Sequence, residues 1–259
     1  MSNDWDFYSL RVDGEPASIF VDLGISKDAP IRSHTTMGYL RVLMLRPRED
    51  GLSSQDEFDD LIALEDHLTA KVIENGAAVF VGRNTSSGNR DFYFYVADPT
   101  NFEKTAKAAM REFPAYEYET GARADQEWRT YFDFLYPSEI DYQRIMNRRV
   151  RQHLKKNGDN ASNERKIDHL ALLPNPKAQA AFTDYVQGEG YTVESAPDEP
   201  NADGQFLVEF YRVDQPARID EIAVPLFRKV AELAGEYDGW AAKYRPECRK
   251  VAESYRQQP

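Results

Sequence analysis

Twice along this chain the spacing of apolar residues switches between the two-residue period of a strand and the longer period of a helix, in one order: strand, helix, strand, strand, helix, strand. In a split βαβ arrangement that order lays two helices on one face of an antiparallel sheet. It predicts an α+β protein of two ferredoxin-like domains, each an antiparallel sheet with helices on one face, the first carrying an extra hairpin. A chain of 259 residues has room for two such cores.

The hairpin is read from Asp6 to Gly14 and Ala17 to Ile25, around the turn residues Asp13, Gly14, Glu15 and Pro16. Gly38 to Arg46 follows, apolar enough for a strand buried on both faces. Ser54 and Glu57 have capping-box spacing, Phe58, Leu61, Ile62, Leu68 and Val72 recur at helical spacing, and Asn75 with Gly76 supplies a left-handed stop. Residues 77–83 and 90–98 make the next strand pair across the loop NTSSG, with Phe92, Phe94 and Val96 on one face and Tyr93 and Tyr95 on the other. A helix over 101–113 and a strand over 116–120 close the first pattern.

The second pattern is introduced by a helix over 140–157 that is rich in Arg and Lys. A strand over 167–173 leads to Asn175 as N-cap and Pro176 as first helical residue of a helix ending near Gly188. Strands over 191–195 and 206–213, a helix over 219–233 and a strand over 239–244 complete it. Pro225 should kink that last helix or mark its true start. The boundary falls near Pro137 to Arg144, giving domains 1–138 and 139–259, and the charge changes there too. Residues 1–140 hold 14 basic and 25 acidic side chains, against 18 and 19 in residues 141–259.

The net charge of −12 repels nucleic acid and anionic lipid, so neither direct nucleic-acid binding nor a membrane is expected, and a basic partner is. The N-terminus MSNDWDFYSL has no signal-peptide pattern, no apolar run approaches a membrane span, and one cysteine, Cys248, suits a reducing compartment. A cytoplasmic location is the expectation.

Two family resemblances add to this reading. KIDHLALLP at 166–174, AAFTDYVQGEGYTV at 180–193 and LAGEYDGW at 233–240, with the GDN turn at 158–160, resemble the regulator of ribonuclease E activity B family. That resemblance implies a ferredoxin-like domain that binds an endoribonuclease and inhibits it without catalysis. LEDHL at 64–68, GRNTSSGNRDFYFYV at 82–96, Trp128, Tyr131, Leu135 and YPS at 136–138 resemble the bacterial family called domain of unknown function 695, which implies a boundary and no activity.

No catalytic, cofactor or metal site is expected. His34, His67, His153 and His169 lack metal-ligand spacing, and Asp66–His67 and Asp168–His169 are neighbours whose side chains diverge. His169, on a core strand, is the histidine to watch. Glu199, Asn201, Asp203 and Gly204 imitate half a calcium loop, but its twelfth position is Phe210. Nucleotide-binding glycine motifs and a nucleophile elbow are missing, and Cys248 has no histidine near it in the sequence.

What remains is carboxylate surface. Residues 49–74 hold nine acidic side chains and one lysine, with Asp56, Asp59 and Asp60 facing solvent; residues 189–238 hold twelve acidic against four basic, with Asp198, Glu199 and Asp203 in a loop. Glu236, Tyr237 and Asp238 form either a structural corner or a contact face, and Trp240 is expected in the core. A carboxylate face suits the basic cleft of a nuclease. The expected partner is therefore a nuclease, either ribonuclease E-like or a toxin nuclease domain met by an immunity protein. The alternatives are a small-molecule enzyme, which needs a polar pocket, and an RNA-binding adaptor stacking bases on Tyr93, Tyr95 and Tyr211.

Overall fold

Asp13 and Gly14 both take positive φ, 51° and 85°, the backbone that folds one strand tightly onto the next. They turn β1 (Trp5–Val12) back on β2 (Glu15–Asp22). The computed structural model describes residues 2–74 and 78–243, and its contacts divide the chain into two units, Met1–Ser138 and Glu139–Pro259. Asn75, Gly76, Tyr244 and Cys248 lie outside the described residues.

After the hairpin, the first unit runs β3 (Thr36–Leu43), α1 (Phe58–Ile73), β4 (Ala78–Ser86), β5 (Asn89–Val96), α2 (Pro99–Ala109) and β6 (Tyr118–Ala124). Its sheet is antiparallel in the order β1-β2-β4-β5-β3-β6, so the ferredoxin-like order β4-β5-β3-β6 is extended at one edge by the hairpin. Leu40, Val42, Phe92, Phe94 and Val96 point to α1 and α2, where they meet Leu61, Leu68, Phe102 and Ala106 in one core. The Asp98 carboxylate starts α2 by accepting from the amides of Thr100 and Asn101.

Four expectations are corrected. The Ser54–Glu57 capping box does not form: Glu57 is buried and accepts instead from the amides of Leu45 and Arg46, tying the helix start to the end of β3. The strand β3 is not buried on both faces, since Arg41 and Leu43 are exposed. The loop NTSSG shrinks to Ser87 and Gly88, both at positive φ, because β4 and β5 pair as far as Ser86 and Asn89. The last strand runs from Tyr118 to Ala124, later than the 116–120 expected.

Helices on one face are also not the whole of this unit. Beyond β6, Asp125 accepts from the amides of Arg129 and Thr130 and from the Tyr95 hydroxyl, which starts a single wide helical turn over Thr130–Leu135. Burial alone would raise the Asp125 carboxyl, but those hydrogen bonds hold it below the ordinary value. Trp128, fully buried, stacks on Tyr95 at 3.9 Å and donates Nε1 to the His34 carbonyl. Tyr131 donates to the Asp22 carbonyl, and Tyr8 donates to that of Leu135. This strap buries the part of the second face around Tyr95, Tyr8 and Tyr131, and leaves Arg41 and Leu43 in solvent.

The second unit comprises α3 (Glu139–Lys156), β7 (Arg165–Leu173), α4 (Pro176–Gly188), β8 (Thr192–Ser195), β9 (Phe206–Asp214), α5 (Ile219–Glu232) and β10 (Glu236–Ala242). Its antiparallel sheet has the order β10-β7-β9-β8, again ferredoxin-like. Asn175 accepts from the amide of Ala178 and Pro176 opens α4. Pro225 lies inside α5 and does not mark its start. The closing strand begins at Glu236, three residues before the expected Gly239, and bulges between Tyr237 and Gly239, where Gly239 takes φ 116°.

The GDN turn after α3 has a structural task. Asp159 and Arg165 form a two-pronged ion pair at 2.7 and 2.8 Å, with side chains 0% and 1% exposed, and Arg165 also donates to the Lys243 carbonyl. One guanidinium thus joins the turn, the start of β7 and the end of β10. Replacing Asp159 by Ala leaves that cation buried and uncompensated, which should cost about 3–5 kcal/mol in chemical denaturation of the whole chain. Removing the exposed Arg46–Asp60 pair should leave the transition nearly unchanged.

Candidate interaction surface of the C-terminal unit

Strand β7 alternates strictly: Arg165, Ile167, His169, Ala171 and Leu173 are buried, while Lys166, Asp168, Leu170 and Leu172 are partly exposed. The buried set meets α4 and α5 with Phe182, Val208, Phe210 and Val230, and α3 packs on α5. Among the described residues of this unit, no element lies over the opposite face.

The register sets out that open face. Leu170 is opposite Glu209 on β9 and Gly239 on β10, Asp168 is opposite Tyr211, and Leu172 is opposite Leu207 and Glu236. Leu170, Leu172 and Leu207 make a half-exposed apolar strip, and Glu209, Glu236 and Asp238 stand exposed around it. A shallow concavity of about 480 Å3 lies here, bordered by Leu170, Glu209, Asp238 and Gly239. At one end Lys166 contacts Asp168 at 2.8 Å and Glu194 at 2.7 Å and lies 4.4 Å over the Tyr211 ring. Hydrogen bonds to both carboxylates raise the Lys166 pKa.

The carboxylates singled out in the sequence are spread over both units. Asp56, Asp59 and Asp60 are exposed at the start of α1 in the first unit, where Asp60 pairs with Arg46. Asp198, Glu199 and Asp203 are exposed between β8 and β9. That loop and Glu236 lie at the same end of the sheet, beside the end of β7. Asn201 shapes the loop by accepting from the amides of Asp203 and Gln205, so its oxygen is used in the turn. Sequence reasoning missed Glu209 and the leucine strip, although the alternation of β7 carried the signal.

Tyr237, in contrast, points inward. It is 6% exposed and its hydroxyl meets Nδ1 of His169 at 2.7 Å. Trp240 is only partly buried; it packs on the core and donates Nε1 to Asn147 on α3. GEYDGW is therefore mostly a corner, with Glu236 and Asp238 on its outer side. Asp168 and His169 diverge as expected, one to each face. The other histidines are accounted for locally: His34 beside Ser33, His67 edge-on to Phe113, and His153 beside Asn157. No group of three or more His, Cys, Asp or Glu among the described residues could hold a metal ion.

His169 is 3% exposed, and Nε2 has no hydrogen-bond partner among the described residues. Burial, reinforced by Arg212, lowers its pKa to about 3. An unfolded histidine titrates near ~6.5. Between those values the unfolded chain takes up a proton that the folded chain refuses, so this contribution is complete above pH 6.5 and declines as pH falls towards 3. The slope is ~1.4 kcal/mol per pH unit. Denaturation curves collected from pH 7 to 4 should show His169→Gln losing less stability on acidification than the parent chain.

Comparison with known proteins adds the following. Residues 3–136 match the model described as family of unknown function (DUF695), and residues 144–241 match regulator of ribonuclease activity B. No curated protein matches the chain. A crystal structure of an unknown protein from Galdieria sulphuraria aligns over 80% of this chain and 99% of its own, at 11% identity and a TM-score of 0.22, too loosely to carry an argument. The chain thus belongs to the family of unknown function DUF695, and its C-terminal unit is similar to regulator of ribonuclease activity B.

Proposed function

We propose that this protein regulates a ribonuclease by binding it through the C-terminal unit, lowering cleavage without performing any chemistry itself. The observation that carries the reading is the match of residues 144–241 to regulator of ribonuclease activity B. It favours a housekeeping ribonuclease such as ribonuclease E over a toxin nuclease as the partner. The surface chemistry supports a protein partner: an apolar strip rimmed by carboxylates resembles the apolar centre and polar rim of protein interfaces, whereas RNA needs free cations and the ammonium on this face, Lys166, is held by Asp168 and Glu194. No helix among the described residues is long and apolar enough to cross a membrane, which is compatible with action in the cytoplasm.

The N-terminal unit is proposed to be a separate domain, 1–138, attached to this regulator. Limited proteolysis should cut between Tyr136 and Arg144 and release two resistant fragments; one resistant core without a cut there would count against the division. For the activity, purified full-length chain added to ribonuclease E and a labelled RNA should slow cleavage in a saturable manner, and the chain alone should leave the RNA intact. Unchanged cleavage at saturating chain, or cleavage by the chain alone, would reject the reading.

A further inference from the structure

We infer that the open face of the C-terminal sheet is the docking surface, and that its occupant is a protein segment presenting arginine or lysine side chains beside an apolar contact. This rests on the ribonuclease-regulator reading and adds to it the place and chemistry of binding.

The inference stands on the two kinds of side chain that share the face. Leu170, Leu172 and Leu207 leave part of their apolar surface in water although the unit has a complete core on the other side of the sheet. Around them Glu209 and Asp238 are exposed and form no ion pair among the described residues. Adjacent strands lie ~4.8 Å apart, so Glu209 on β9 and Asp238 on β10 stand roughly 10 Å apart with Leu170 between them. Two cationic side chains on one partner segment can span that gap while an apolar residue between them meets the leucines. The β10 bulge brings Asp238 to this rim.

Charge selects among occupants. The concavity is bordered by the carboxylates of Asp168, Glu194, Glu209 and Asp238 and by a single ammonium, Lys166. That ammonium is already held by two of the carboxylates. A nucleic-acid backbone is repelled by such a surface, and so is a second copy of the same face. A basic protein surface gains from both the charges and the leucines, and its association should be fast at low salt and slower as salt rises.

The test uses the full-length chain and two probes. The first is ribonuclease E, titrated against the parent chain, the double variant Glu209→Gln/Asp238→Asn, and a control Asp198→Asn/Glu199→Gln/Asp203→Asn in the β8–β9 loop. All altered residues are exposed, and circular dichroism confirms that each variant folds. The double variant should bind about tenfold more weakly at low salt and with a flatter salt dependence, and the control should bind as the parent does. Binding of the double variant equal to that of the parent overturns the docking surface while leaving the regulator reading intact. The second probe is a twelve-residue arginine-rich peptide, compared with the same peptide carrying glutamine for arginine, and followed by NMR shifts of the full-length chain. Shifts should concentrate on Leu170, Glu209, Asp238 and Gly239 for the arginine peptide alone. If ribonuclease E fails to bind the parent chain, the regulator reading fails and the peptide decides the surface. Peptide shifts centred elsewhere, or no shifts, overturn the inference, as does single-stranded poly(U) RNA shifting this face in place of the peptide.

Discussion

A strand shows its side chains alternately to two faces, and in β7 that period does two jobs at once. Its odd-numbered residues from Arg165 to Leu173 build the core, and its even-numbered residues from Lys166 to Leu172 build the open face. A slip of one residue would exchange the two sets and place Lys166 and Asp168 against α4 and α5. The buried Asp159–Arg165 pair opposes such a slip, because the guanidinium has its partners in only one register. Core, corner and candidate surface all follow from that alignment.

Much of this was legible in the chain itself. The alternation in DFYFYVAD and KIDHLALLP is strong because one face of each strand meets helices, and Asn175–Pro176 marks a helix start by a mechanism confined to neighbouring residues. Features that depend on distant partners were not. Ser54 and Glu57 have the spacing of a capping box, but the free amides of Leu45 and Arg46 compete for the same carboxylate and hold it. The strap over 125–135 is a short wide turn with no length for a period to appear, and its anchors, Tyr95, Asp22 and His34, are far away in sequence. Of the candidate site, Glu236 and Asp238 were found by resemblance. Glu209 was not, because its position beside Leu170 is a matter of strand pairing.

The two units share a strand order yet treat their second face differently. In the first, Trp128, Tyr131 and Leu135 cover a large part of it, and Trp128 does so from a left-handed backbone, φ 54°, that a bulky residue seldom adopts. Such a conformation persists where the surrounding packing over-determines it, and here the stacked Tyr95 ring and the His34 carbonyl hold the indole from two sides. Closing that face is therefore built into the unit's stability, with a penalty accepted in the backbone for the apolar area buried above it.

No described segment closes the corresponding face of the second unit, and its leucines remain partly in water. Folding does not require them there: the core on the helix side is complete, and polar residues would serve an open sheet face equally well. Their position inside a carboxylate rim is what an interface needs, since apolar contact supplies the attraction and the charges choose the partner and its orientation. Tyr237 and His169 lie beneath this surface as a buried hydrogen-bonded pair and keep the corner of β10 in place. Because that pair is uncharged at neutral pH, it can support the face from below without altering the field of the carboxylates above it. Rigidity and the proposed recognition thus fall on opposite faces of one sheet, shared by β7, β9 and β10.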